Sequence, residues 1–256
     1  MTANTIDQIV RIERATDART VGLDAYRSLI ALLETLDESD WRRPTECPPW
    51  TVADMAGHLI GAAKGYAGLG ELFRQQLYGV RHRGAHGGNA LDATNSLQVA
   101  EHAHLGNDER IAALHQLAES AIDGRLHMPA LLRRFGVPLD SGGSAAAGMP
   151  QRVNLGQLLD VVLTRDVWLH RIDIERATGR TTELDERLDG RIIDDVVAEW
   201  AGRHGRPFAL RLTGPIGRHY ERGTDGVRIE SDAVEFCRIL SGRAAGDGLL
   251  GVRVLF

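Results

Sequence analysis

Four stretches in which apolar residues recur at helical spacing restrict this chain more than any other feature, because four amphipathic helices can bury their faces only against one another. The first runs from about Asp17 to Leu36 through Val21, Leu23, Tyr26, Leu29, Ile30, Leu33 and Leu36. The proline-rich DWRRPTECPPW then breaks the helix. Thr51 with Asp54 three positions on reads as a capping box, so a second helix is predicted from Thr51 to about Tyr78. VRHRGAHGGN is predicted as a loop, and helical spacing returns from Leu91 to Ile122. After the short apolar MPALLRRFGVPL, the glycine-rich DSGGSAAAGMP reads as a flexible connection. Asn154 can cap the fourth helix, whose stripe is Leu155, Leu158, Leu159, Val162, Leu169 and Ile172, with its end at Gly179.

Beyond Gly179 the texture changes. One more helix fits LDERLDGRIIDDVVAEWAGRHG. The runs FALRLTG, HYERG, GVRIES and LLGVRVLF are short, alternating or β-branched, and separated by glycine, with the helix DAVEFCRILSGR among them. The expected fold class is therefore α plus α+β: a helical bundle over residues 1–180, then a small α+β domain over 181–256.

Three polar residues interrupt the apolar faces. His58 lies in the second helix, with Met55, Leu59, Ala62 and Tyr66 on its side of the wheel. Asp166 and His170 lie four apart in TRDVWLHRID, so one face presents both. Burying a polar group without partners costs on the order of 2 to 7 kcal/mol, so these residues need a shared purpose. Two imidazoles and a carboxylate can supply donors to a divalent ion, zinc being the expected one, and leave positions open for water or a thiol. Nickel, cobalt and iron accept the same donors. A hydrogen-bonded core pair is the alternative reading of the Asp-x-x-x-His spacing.

Composition narrows the partners. With 30 Lys and Arg against 35 Asp and Glu in 256 residues, the net charge of −5 argues against nucleic-acid and anionic-membrane surfaces. The two cysteines, Cys47 and Cys237, form no paired motif and suit a reducing, cytoplasmic setting. No stretch approaches the roughly 20 apolar residues of a membrane span, and the N-terminus reads as no export signal. Arg243 is a candidate fork for a substrate carboxylate, against an ordinary surface arginine. His82 and His86 are candidates for proton transfer and cofactor binding, against a solvated loop. Cys47 reads either as a nucleophile or as a small half-buried thiol, and Trp50 and Trp168 as packing beside the ligands.

The segments LDESDWRRPTECPPWTVADMAGHLIGA, TRDVWLHRIDIERATGR and DAVEFCRILSGRAAGDGLL resemble the mycothiol-dependent maleylpyruvate isomerase family. That resemblance implies a DinB/YfiT-like four-helix metal-binding bundle with a sterol-carrier-like α+β domain behind it. It also implies that His58, Asp166 and His170 match the metal ligands, although the isomerases carry glutamate, and many bundle relatives histidine, where Asp166 stands. Its further implications are mycothiol as thiol cosubstrate and a small electrophile as second partner, in a monomer or homodimer. Metal coordination would hold the thiol as thiolate, which adds to a cis double bond and leaves after rotation, or stays as a conjugate. Two rivals are a non-catalytic small-molecule or lipid-binding protein and a regulatory protein with a degenerate metal site.

Overall fold

The first described residues form a short strand, β1 (Asn4–Thr5), and a 3-10 turn (Ile6–Gln8). The computed structural model describes residues 4–138 and 152–256, which divide into two compact units. One comprises residues 17–138 and 152–182; the other joins residues 4–16 to 183–256. The predicted connection DSGGSAAAGMP lies outside the described residues.

The helical unit opens with α1 (Ala18–Leu33), in which Leu29, Leu32 and Leu33 are all buried. Each such side chain contributes about 1.5–3 kcal/mol by leaving water. Then come α2 (Val52–Ala67), α3 (Leu69–His82), α4 (Ala90–His102), α5 (Asn107–Leu126) and the single turn α6 (Ala130–Arg133). A two-stranded antiparallel ribbon of β2 (Gly136–Pro138) and β3 (Arg152–Asn154) leads into α7 (Leu155–Gln157), a π-helical turn (Leu158–Val162) and α8 (Leu163–Thr178). Helices α1, α2, α5 and α8 contact one another in a ring, α2 meeting α5, α5 meeting α1, α1 meeting α8 and α8 meeting α2. The pair α3 and α4 packs beside α2.

Local chemistry explains the ends. Thr51 Oγ1 accepts the Asp54 N–H at 3.3 Å while Asp54 Oδ2 accepts the Thr51 N–H at 2.9 Å, which closes the predicted capping box. Asn154 caps α7 by accepting the Gly156 N–H, and Gly179 ends α8 in the left-handed region at φ 71°.

Within the helical unit three predicted elements differ. The second helix breaks at Gly68, whose extended backbone (φ −150°, ψ 126°) separates α2 from α3. The third divides into α4 and α5 across 103–106. VRHRGAHGGN is not a loop throughout: α3 reaches His82 and a 3-10 turn covers Arg83–His86.

In the second unit, a π-helical turn (Glu186–Gly190) precedes α9 (Arg191–His204), followed by β4 (Phe208–Thr213), β5 (Arg218–Arg222), β6 (Val227–Asp232) and α10 (Ala233–Ser241). The sheet order is β1-β5-β4-β6, with β4 antiparallel to β5 and parallel to β6. Its core centres on Trp200, whose ring lies 4.7 Å from Phe208 and 5.3 Å from Phe236 and whose Nε1 donates to the Leu249 carbonyl. LLGVRVLF is no strand; Gly248–Gly251 form a 3-10 turn instead. Residues 4–16, expected with the bundle, assemble here, because β1 pairs parallel with β5 and the Ile12 N–H donates to Asp195. No helix among the described residues is long and apolar enough to cross a membrane.

Candidate metal centre

The α2 capping box fixes where that helix starts and so places His58 two turns in, on its buried side. On α8, Asp166 and His170 stand one turn apart, and the contact of α8 with α2 brings the three together. Asp166 Oδ1 lies 3.3 Å from His170 Nε2, and its Oδ2 lies 3.7 Å from His58 Nε2. One ligand atom from each residue falls within 4.8 Å of the others. Both imidazoles are buried, whereas the Asp166 side chain keeps 27 % of its exposure, so the cluster is open on the carboxylate side.

The opposite nitrogens are already committed. His170 Nδ1 lies 3.0 Å from Asp173 Oδ2, and the same oxygen is 3.5 Å from Cys47 Sγ. His58 Nδ1 lies 2.8 Å from Gln98 Oε1. Gln98 Nε2 donates to Gln75 Oε1 at 2.8 Å, and Gln75 Nε2 donates to the Gly61 carbonyl at 2.9 Å and to Glu71 at 2.8 Å.

This relay has a direction. A main-chain carbonyl can only accept, so the Gln75 amide must point its NH2 at Gly61; its oxygen then takes the Gln98 NH2, and the Gln98 oxygen must receive N–H from His58 Nδ1. His58 Nδ1 is thereby held as an N–H donor, which leaves Nε2, the nitrogen that faces Asp166, as the position a metal would take. Gly61 also sets the spacing, since a Cβ there would lie 2.5 Å from Gln98 Cβ and push α4 away from α2.

The charges reinforce the geometry. Burial would lower the His170 pKa, but Asp166, by charge and hydrogen bond, and then Asp173 and Cys47 raise it well above the usual histidine value. Burial would raise the Asp166 pKa, yet His170 and His58 hold it far below the ordinary carboxylate range. Without a metal the cluster is thus an anionic carboxylate against an imidazolium. The donor set of two imidazole nitrogens and a carboxylate suits a divalent ion, and both imidazoles have the outer hydrogen bonds that metal-bound histidines need. Cys47, His170 and Asp173 form a second three-residue group of ligand types, sharing His170 with the first.

The remaining candidates lie elsewhere in the chain. His82 is exposed at the end of α3, stacked on Tyr78 at 3.8 Å with Nδ1 2.9 Å from the Tyr78 carbonyl oxygen. His86 ends the following 3-10 turn, and neither histidine belongs to a ligand group among the described residues. Arg243 belongs to the other unit, just after the left-handed Gly242, where its backbone N–H donates to the Arg238 carbonyl. Trp50 packs against His58 and His170, with ring centroids 4.9 and 6.3 Å away. Asp173, Gln98 and Gln75 were not predicted. Asp173 had a visible signal, an acid three residues after a ligand histidine. The glutamines had none, because their role depends on how α3 and α4 dock on α2.

The fold and cluster describe a helical-bundle protein with a two-histidine, one-carboxylate centre. Residues 23–175 match the family described as the mycothiol maleylpyruvate isomerase N-terminal domain, more than half of the chain, and the protein belongs to that family. Over 235 residues it is 26 % identical to an uncharacterized protein of Mycobacterium tuberculosis, found in strains H37Rv and CDC 1551, covering 85 % of this chain and 81 % of the relative. The crystal structure of the mycothiol-dependent maleylpyruvate isomerase superposes with a TM-score of 0.54 at 14 % identity, covering 96 % of this chain and 93 % of that one. A histidine-to-alanine mutant of that enzyme matches equally well, at 15 % identity. At these identities the likeness is one of fold.

Proposed function

We propose that the protein is a metal-dependent enzyme that activates mycothiol for attack on a small electrophile, as an S-transferase or a cis-trans isomerase of the maleylpyruvate type. His58, Asp166 and His170 hold the ion, with zinc the expected one. The observation that carries this reading is the convergence of both Nε2 atoms on Asp166 while both Nδ1 atoms are tied to outer partners. The chemistry a bound ion supplies is a lowered pKa for a coordinated thiol, so that thiolate is present at neutral pH.

The chain's own groups do the rest. Gln98 and Asp173 keep the imidazole nitrogens aimed, and Asp173 stabilises positive charge on His170. Trp50 covers the histidine rings on one side and limits water there. The half-exposed edge of Asp166 is where thiol and electrophile approach. Isomerisation and conjugation begin with the same sulfur attack and differ only in whether sulfur leaves again. Cys47 and Cys237, which form no disulfide, fit work in a reducing cytoplasm.

Metal analysis joined to a thiol-addition assay tests this. Wild-type protein should carry about one ion per chain, the stoichiometry of a single three-ligand site, and consume mycothiol with maleylpyruvate or another electrophile. His58→Ala and His170→Ala should lose both properties while keeping their helical circular dichroism. Undiminished activity in either variant rules the mechanism out.

A further inference from the structure

Arg125, near the end of α5, is 3 % exposed, and its Nη2 is buried with no hydrogen-bond partner among the described residues. None of their carboxylates pairs with it. The nearby acids are engaged elsewhere: Asp160 pairs with Arg133, and Asp166 faces the two histidines. A buried guanidinium without an ion pair is costly to a fold and calls for a group that completes it.

Its surroundings suit an anion. Tyr26 of α1 and Tyr66 of α2 both interact electrostatically with Arg125 and with Asp166, so the four groups lie within charge-interaction range of one another in the helical unit. Burial raises both tyrosine pKa values, that of Tyr66 to about 12, so each hydroxyl remains an O–H donor at neutral pH. Close helix contact builds the corner: a Cβ on Gly124 would lie 2.0 Å from the Tyr66 carbonyl oxygen, which brings α5 and its Arg125 against α2.

We propose that Arg125, with the hydroxyls of Tyr26 and Tyr66, forms a carboxylate-binding site inside the helical unit, within electrostatic reach of the metal cluster. The planar guanidinium fork matches a carboxylate with two parallel N–H···O bonds, and two phenols add donors without adding charge. The ligand class is a small planar organic acid. As the substrate end of the proposed reaction this site rests on that reading, but its binding is measured without metal and stands or falls separately.

The probe is maleate, titrated into protein stripped of metal with EDTA, against phosphate at equal ionic strength. Melting temperature and calorimetric affinity are read for wild type, Arg125→Met and Arg125→Lys. Maleate should raise the wild-type melting temperature. Arg125→Met should melt at or above the maleate-free wild type, because it removes an uncompensated charge, and should bind maleate roughly 10- to 100-fold more weakly. Arg125→Lys keeps the charge and loses the fork, so most of the maleate shift should disappear there as well. The site is overturned if wild type does not respond to maleate, if phosphate gives an equal shift, or if either variant keeps the full maleate response. It is also overturned if Arg125→Met melts far below wild type, which would make the arginine a structural group.

Discussion

Two acidic residues, one in each unit, separate what buried charge does for folding from what it does for chemistry. Asp195 on α9 is fully buried, and its carboxylate is claimed from within the chain: Oδ1 takes Arg11 Nε at 2.7 Å and the Ile12 N–H at 2.8 Å, and Oδ2 receives Arg11 Nη2 at 3.4 Å. These bonds hold the N-terminal segment on α9. Asp166 on α8 meets two imidazoles at longer range, and each imidazole spends its other nitrogen on an outer partner. The remaining ring nitrogen of each imidazole is therefore turned toward Asp166. Burial alone does not mark a site; the direction of the remaining donors and acceptors does.

The largest effect is expected where the charge is structural. Asp195→Ala strands a buried N–H and an arginine, and urea unfolding should show about 3 kcal/mol less stability with metal content unchanged. A loss below about 0.5 kcal/mol, the scale of an ordinary surface substitution, would erase the contrast between the two acids.

The next effect concerns the outer shell of the cluster. Gln98→Leu and Asp173→Asn should each weaken metal affinity by roughly 10- to 100-fold, or about 1.4 to 2.7 kcal/mol, because the imidazoles lose their aim. Competition with a chelator of known affinity measures this, and wild-type affinity in both variants would show that the relay through Gly61 positions nothing.

The smallest effect is a pH dependence in metal-free protein. The folded His170 pKa lies well above the ordinary histidine value of 6.5, so its contribution to stability is complete below that pH and is lost as pH rises through the raised value. Asp166 is shifted down from 3.8, so its contribution is present above that pH and is lost as pH falls through the depressed value. Metal-free stability should therefore hold between these limits and decline above about pH 6.5, and Asp166→Asn should flatten that decline. An unchanged slope in the variant would detach His170 from Asp166.

Much of the helical unit was legible because its signals are local. The Thr51–Asp54 box, the Asn154 cap and the Gly179 stop each depend on residues within one turn, and all three occur as read. The break at Gly68 was not legible, since the apolar period runs on across it and glycine is tolerated within helices. The closing LLGVRVLF has strand composition, yet no sheet edge among the described residues pairs with it. β1 was equally hidden: two residues carry no period, and their pairing partners, Tyr220 and Glu221, lie more than two hundred positions away.

By itself the chain determined its helices, their caps and the three residues able to share an ion, because spacing along a helix decides which side chains share a face. Only the tertiary structure decided that Gln75 and Gln98 support those residues, that Arg125 Nη2 lies buried without a hydrogen-bond partner among the described residues, and that the first segment belongs with the last. Each of those facts depends on groups from separate elements meeting at hydrogen-bond or charge-interaction range, and no periodicity along the chain encodes such meetings.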